Sequence, residues 1–308
     1  HGWSFDDSGK CQDIPQIKEE TKERVFQNPK CHVKSYSTVV EKGIVWAWLW
    51  KEDSIELTMK DPSITPEVMM KGIATDISTY TRDLPYGWDT LTENLIDPAH
   101  VPFAHHGLQG TRDDAVPINM TNPTITKSGL ELSFQDRTMK KFRTGEASFR
   151  APYTLVYSGV YQSDGDSRVG LFNLTTINIP TQPGWSRSIV IAGGSHSRDE
   201  EGNPIEKSMK SKIFGKIIPV WLIHLLSNTF LDSDLALLHY QEQDREKRGG
   251  DNNYSNNTGG EDIYFLPAPA DRAINAFRKW KNEYAHVPLP LPPPINNRAI
   301  LFDRYTQH

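Results

Sequence analysis

Three features of the sequence predict an α+β fold: short β-like runs rich in Trp and Gly at the start, alternating segments in the middle, and helical periodicities toward the end. Within residues 1–75 the run GIVWAWLW at 43–50 is the clearest strand, and this stretch reads as a small β domain. Residues 76–308 read as a second, larger domain. Apolar and polar side chains alternate over 130–134, 153–161, 168–179 and 186–192, and the turn residues between these segments predict an antiparallel sheet. Helical patterns follow at 210–226, 229–245 and 270–284, with a polar Gly/Asn loop at 249–260 before the last of them. The Pro-rich run at 288–294 is expected to be an extended connector on the surface, and no internal repeat is visible.

The 308 residues carry enough apolar and aromatic side chains to build real cores. Asp and Glu number 39 against 34 Lys and Arg, and the basic residues are scattered, so the chain has no cationic face and nucleic acid is excluded as a partner. Two cysteines, Cys11 and Cys31, cannot make a disulfide framework. Neither belongs to a CxxC pair, so each reads as a small buried residue or free thiol in a reducing compartment. The most apolar stretch, 213–226, is interrupted by Lys216, Pro219 and His224 and falls short of the ~20 apolar residues of a spanning helix. His1 stands first with no basic-then-apolar leader behind it and His308 ends a polar run, which leads us to expect a fragment cut at both ends.

Chemistry concentrates at 93–107, ENLIDPAHVPFAHHG, where Asn94, Asp97, His100 and His105 follow the spacing N-x-x-D-x-x-H-x-x-x-x-H. Asp97 before Pro98 reads as an N-cap followed by proline at the first helical position, with Pro102 then disturbing the helix. His100 and His105 lie five apart, a poor match to one face of a regular helix, but a break between them lets both rings converge on one metal ion. His106 is the rival to His105 and should point elsewhere. A third ligand of carboxylate type would complete the facial triad of oxygen-activating ferrous sites. It is sought in FLDSDLALLHYQ at 230–241, where helical projection groups Leu237, Phe230, Gln241, Asp234, Leu238, Leu231 and Leu235 in one arc. Asp234 is therefore expected to face the core, where a cation would relieve its burial, and Asp232, near His239, to be solvated.

These residues resemble the catalytic motif of Rieske oxygenases, in particular the pheophorbide a oxygenase family. RDLPYG (82–87), LDSDLALLH (231–239), FRKW (277–280) and LFDRY (301–305) are similar to that family in the same order over most of the chain. The resemblance implies a helix-grip-like catalytic domain with His100, His105 and Asp234 as ligands of a mononuclear Fe(2+). It gives Asp97 a bridging role in electron transfer to the iron and sets Asn94 beside that path. HGWSFDDSGKCQDIPQ at the start is similar to the sequence after the second cluster motif, C-x-x-H-G-W. That makes His1 the last of four ligands to a [2Fe–2S] Rieske cluster, the other three being absent. The implied partners are a chlorin or other tetrapyrrole substrate, dioxygen and ferredoxin. The family also implies a homotrimer, membrane association through a segment beyond this chain, and a plastid or cyanobacterial membrane location. Pheophorbide a ring opening is the first expectation, with protochlorophyllide, chlorophyllide or chlorophyll-catabolite oxygenation as alternatives. From other classes come a zinc hydrolase, since Asp and two His also suit tetrahedral zinc, and a non-catalytic redox subunit of a plastid import complex.

Overall fold

The computed structural model describes residues 1–49, 61, 65–73, 79–163, 169–192, 197–198, 219–248, 264–285 and 291–303. The chain divides into two units, His1–Lys71 and Gly72–His308. In the first, β1 (Ser4–Phe5) pairs antiparallel with β2 (Cys11–Asp13), helix α1 (Glu19–Phe26) follows, and β3 (Thr38–Glu41) forms a hairpin with β4 (Ile44–Ala47). The two hairpin residues, Lys42 and Gly43, both have positive φ (54° and 74°), the mirror-image turn that matches strand twist. β4 is the centre of the strand expected at 43–50; Trp50 lies outside the described residues. A short helix α2 (Pro66–Met69) opens with the Thr65 hydroxyl accepting from Val68 N–H. Both cysteines are free thiols, Cys11 buried and Cys31 half-buried.

The second unit runs β5 (Thr79–Leu84), α3 (Trp88–Ile96), α4 (Val101–Ala104), β6 (Asn119–Met120), β7 (Thr124–Thr126), β8 (Gly129–Thr138), β9 (Lys141–Arg150), β10 (Thr154–Ser163), β11 (Val169–Gln182), β12 (Trp185–Ala192), β13 (Ser197–Arg198), α5 (Val220–Lys247), α6 (Arg272–Tyr284) and α7 (Arg298–Leu301). The strands form one nine-stranded antiparallel sheet in the order β5-β12-β11-β10-β9-β8-β6, with β13 on β11 and β7 on β8. In β8, Leu130, Leu132 and Phe134 are buried while Glu131, Ser133 and Gln135 face solvent, the period-two pattern of a half-buried strand. On the same face of β9 only Ala147 and Phe149 are buried apolar residues, so this strand has little alternation of its own and is held by full pairing to β8 and β10.

The buried face of β8 to β10 packs on Ala273, Ala276, Phe277 and Trp280 of α6 and on Ile96 of α3. Phe149 meets Phe277 and Trp280 edge-on, with centroids 5.1 and 4.7 Å apart. A second cluster joins Tyr80, Leu84 and Leu91 to Leu231, Leu235 and Leu238 of α5. Helix α3 thus belongs to both clusters, and its last residue, Ile96, is pinned in the core immediately before the segment that carries Asp97, His100 and His105.

Two helices were expected over 210–226 and 229–245; instead α5 is continuous from Val220 to Lys247, its start set by Pro219. Residues 210–218, the loop at 249–260, the beginning of the Pro-rich run and residues 304–305 lie outside the described residues. The described part of the Pro-rich run packs on α5, with Gln243 donating to Pro292 O at 3.3 Å. Among the described residues no helix is long and apolar enough to cross a membrane.

Candidate metal centre

Helix α3 ends at Asp97 because Pro98 forces the residue before it out of the helical region, and Asp97 adopts φ −96°, ψ 107°. Asp97 is therefore the C-cap of α3, not the N-cap of a following helix. Its Oδ1 accepts from Ala99 N–H at 2.8 Å and so shapes the link to α4. Pro102 does not break a helix either. It sits in the first turn of α4, where the missing N–H has no partner to lose. His100 and His105 flank this single turn as its two caps, which turns both rings to one side.

Asp234 arrives from α5. Its Oδ2 lies 3.1 Å from His105 Nε2 and 3.9 Å from His100 Nε2, and the two imidazole nitrogens are 3.3 Å apart. One donor atom from each of the three residues lies within 4.8 Å of the others, the only such group among the described residues. His105 and Asp234 are buried and His100 is half-buried. The His105 ring stacks on Phe230, centroids 3.8 Å apart, and its Nδ1 is 2.7 Å from Ser233 Oγ. His106 turns away and accepts from Arg112 N–H at 3.2 Å.

Asp97 Oδ2 lies 3.6 Å from His100 Nδ1. Burial lowers the pKa of His100, but the Asp97 and Asp234 carboxylates outweigh it and the net direction is upward. Asn94, Asp97 and His100 line a cavity of about 260 Å³ together with Glu93, Glu242 and Arg278. His1 is exposed at the start of the first unit, and among the described residues it belongs to no group of three or more such donors.

The helical projection has Asp234 on the right side but the wrong centre. Leu237 is 65% exposed and Gln241 faces solvent, whereas His239, Glu242 and Gln243 are buried. The buried arc is thus rotated toward Asp232, which is not a solvated carboxylate: its Oδ1 lies 2.7 Å from Nη2 of the fully buried Arg82. His239 is buried too, and Ile295 N–H donates to its Nε2 at 2.9 Å, which leaves Nδ1–H to donate to Pro85 O at 2.6 Å. Composition of the helix alone could not locate its neighbours on β5 and near residue 295, and those neighbours set the arc. Ser233 and Arg82 lie inside the motifs at 231–239 and 82–87, but no local pattern announces their contacts; for Ser233 the one signal is its place between two aspartates.

Around the cavity, Lys281 and Arg245 contact Asp89 Oδ2 at 2.8 and 3.2 Å, and Arg278 binds Glu93 with two hydrogen bonds, 2.9 and 2.6 Å. Burial would raise the pKa of Asp89, but Lys281 and Arg245 hold it well below the usual carboxylate range. These pairs tie α3, α5 and α6 together behind the three donors.

Known proteins resemble this chain in fold and in sequence. The solved structure of dicamba monooxygenase bound to dicamba shares the fold, with a TM-score of 0.60 over 92% of this chain and 77% of that one, at 13% identity. Residues 149–252 match the family model described as pheophorbide a oxygenase. Pheophorbide a oxygenase, chloroplastic, of Oryza sativa subsp. japonica is 29% identical over the whole of this chain and 58% of its own length. Flavonoid 8-hydroxylase 2, chloroplastic, of Ocimum basilicum is also 29% identical, with the same coverage of both chains. The chain is similar to the pheophorbide a oxygenase family along its whole length, and it spans somewhat over half the length of these curated relatives.

Proposed function

We propose that this chain is the catalytic portion of a ferrous, Rieske-type oxygenase that inserts one atom of dioxygen into a chlorophyll-related tetrapyrrole, with ring opening of pheophorbide a as the first candidate. The observation that carries the reading is the convergence of His100 Nε2, His105 Nε2 and an Asp234 oxygen. Two imidazole nitrogens 3.3 Å apart are close enough to share one cation, and a buried carboxylate beside them is costly without one, so this donor set fits a divalent ion. His100, His105 and Asp234 would hold a ferrous ion there, and it would supply the electrons for dioxygen activation.

The protein's own part is positional. Asp97 keeps the Nδ1 edge of His100 turned toward a carboxylate, so that Nε2 faces Asp234. Helix α3, packed into both cores through Leu95 and its neighbours, fixes where that pair stands. Asp97 and Asn94 are assigned to the electron route from a [2Fe–2S] cluster, with His1 as one of its ligands and ferredoxin as the donor. A homotrimer, association with a membrane and a plastid or cyanobacterial location complete the proposal, the last in line with the chloroplastic relatives. The test is oxygen uptake by the iron-loaded, full-length protein with reduced ferredoxin and either a chlorin panel or flavones, products being followed by mass spectrometry. Uptake coupled to an oxygenated chlorin supports the reading. Uptake coupled only to a flavone replaces the substrate, and an oxygen-independent hydrolytic activity with zinc, without oxygen uptake, replaces the reaction.

A further inference from the structure

Phe230, Ser233 and Asp234 lie within about one turn of α5, and all three touch His105. Ser233 Oγ is 2.7 Å from His105 Nδ1 and, on its other side, 2.7 Å from Phe230 O. A hydroxyl carries a single proton. The Phe230 carbonyl can only accept, so while the hydroxyl donates to it the Ser233 oxygen can only accept from His105. In that arrangement Nδ1 carries the ring proton and the Nε2 lone pair faces Asp234 Oδ2 and His100 Nε2, the form that a cation at those donors requires.

We infer that Ser233 is a positioning residue that selects the Nδ1–H tautomer of His105 and thereby makes Nε2 the metal donor. Free imidazole interconverts between two tautomers, and the other one would aim an N–H into the centre of the donor set. The Phe230 ring, stacked at 20° to the imidazole, restricts its plane but has no means to choose between the two nitrogens. Asp234 Oδ2 lies on the Nε2 side alone and, without a cation, favours the opposite tautomer. The Ser233 to Phe230 relay is the contact that opposes it, because the hydroxyl has its own acceptor in the helix carbonyl. One helical turn thus delivers a ligand of its own and orients a ligand that arrives from a distant segment. Groups that orient a ligating histidine through its second nitrogen typically govern metal affinity by about 10- to 100-fold.

This inference rests on the metal-site reading above, but its first test needs no metal. In full-length chain labelled with nitrogen-15 at histidine, the His105 ring shifts should report Nδ1–H in the wild type and in Ser233→Thr. Threonine in a helix can make the same hydroxyl bond to the i−3 carbonyl. Ser233→Ala should report a mixture or Nε2–H. Cobalt(II) titration is the second test: Ser233→Ala should bind about 10- to 100-fold more weakly than wild type, with Ser233→Thr restored to within a few-fold. An unchanged tautomer in Ser233→Ala overturns the inference, as does unchanged cobalt affinity where the wild type binds. A wild type that binds no cobalt at this site overturns the metal-site reading, while the tautomer result still decides the role of Ser233.

Discussion

Arg82 and Asp232 form a buried ion pair, Nη2 to Oδ1 at 2.7 Å, that locks α5 to β5 two residues before the candidate ligand Asp234. Arg82 Nη1 also donates to Asn228 O at 3.2 Å, and the Tyr80 hydroxyl donates to Asn228 Oδ1 at 2.7 Å. One strand thereby grips successive turns of the helix and sets its rotation.

Removing the Asp232 charge leaves the fully buried Arg82 guanidinium without this carboxylate, and removing Arg82 takes the cation from the half-buried Asp232. Asp232→Asn or Arg82→Met should destabilise the protein by about 3–5 kcal/mol in urea unfolding, whereas the double change Arg82→Met/Asp232→Leu should recover much of the loss. A cost for Asp232→Asn within about 0.5 kcal/mol, as at an ordinary surface site, would refute the buried pair.

Glu242 supplies a pH dependence. Burial and the neighbouring Asp89 push its pKa up to about 7, against the opposing pull of Gly87 N–H, Arg245 and Thr90. The folded state therefore binds a proton that the unfolded chain releases near its ordinary pKa of 4.5. The resulting stability is fully present below that value and is lost as pH rises through about 7. Glu242→Gln should flatten the fall in unfolding free energy between about pH 5 and pH 8, a difference of roughly 1–3 kcal/mol. Parallel curves for the variant and the wild type would contradict this.

The two-residue turn between β8 and β9 uses Met139 and Lys140, at φ 52° and 58°, where side chains are strained. Asp114 Oδ1 holds the turn by accepting from Lys140 N–H at 2.8 Å. Lys140→Gly should raise stability by roughly 0.5–1 kcal/mol, read as a higher Tm, since it relieves the strain and keeps that hydrogen bond. A lower Tm would mean that the lysine side chain contributes more than its backbone conformation costs.

How much of this was legible beforehand depended on whether a residue's neighbours are local. The strands with strong alternation, such as β8, and the amphipathic α6 could be read directly because Leu130, Leu132 and Phe134, or Ala273, Ala276, Phe277 and Trp280, announce one buried face. β9 and β5 could not. Polar residues dominate β9, and Arg82 in β5 is buried by a partner 150 positions away. The three donors were visible because spacing and charge single them out, but Asp232 was misjudged because its burial is made by β5. Pro98 ends α3 at Asp97, and Pro102 opens α4 without breaking it. Ser233 acts only through His105, a contact no local pattern announces.

The central claim is that His100, His105 and Asp234 hold one ferrous ion, and the most direct measurement is anaerobic ferrous titration of the full chain and its variants. One ion per chain should bind to the wild type and to His106→Ala. Affinity should fall at least about tenfold in His100→Ala, His105→Ala and Asp234→Asn. Loss of binding in His106→Ala with retention in His105→Ala, or full retention in Asp234→Asn, would contradict the account.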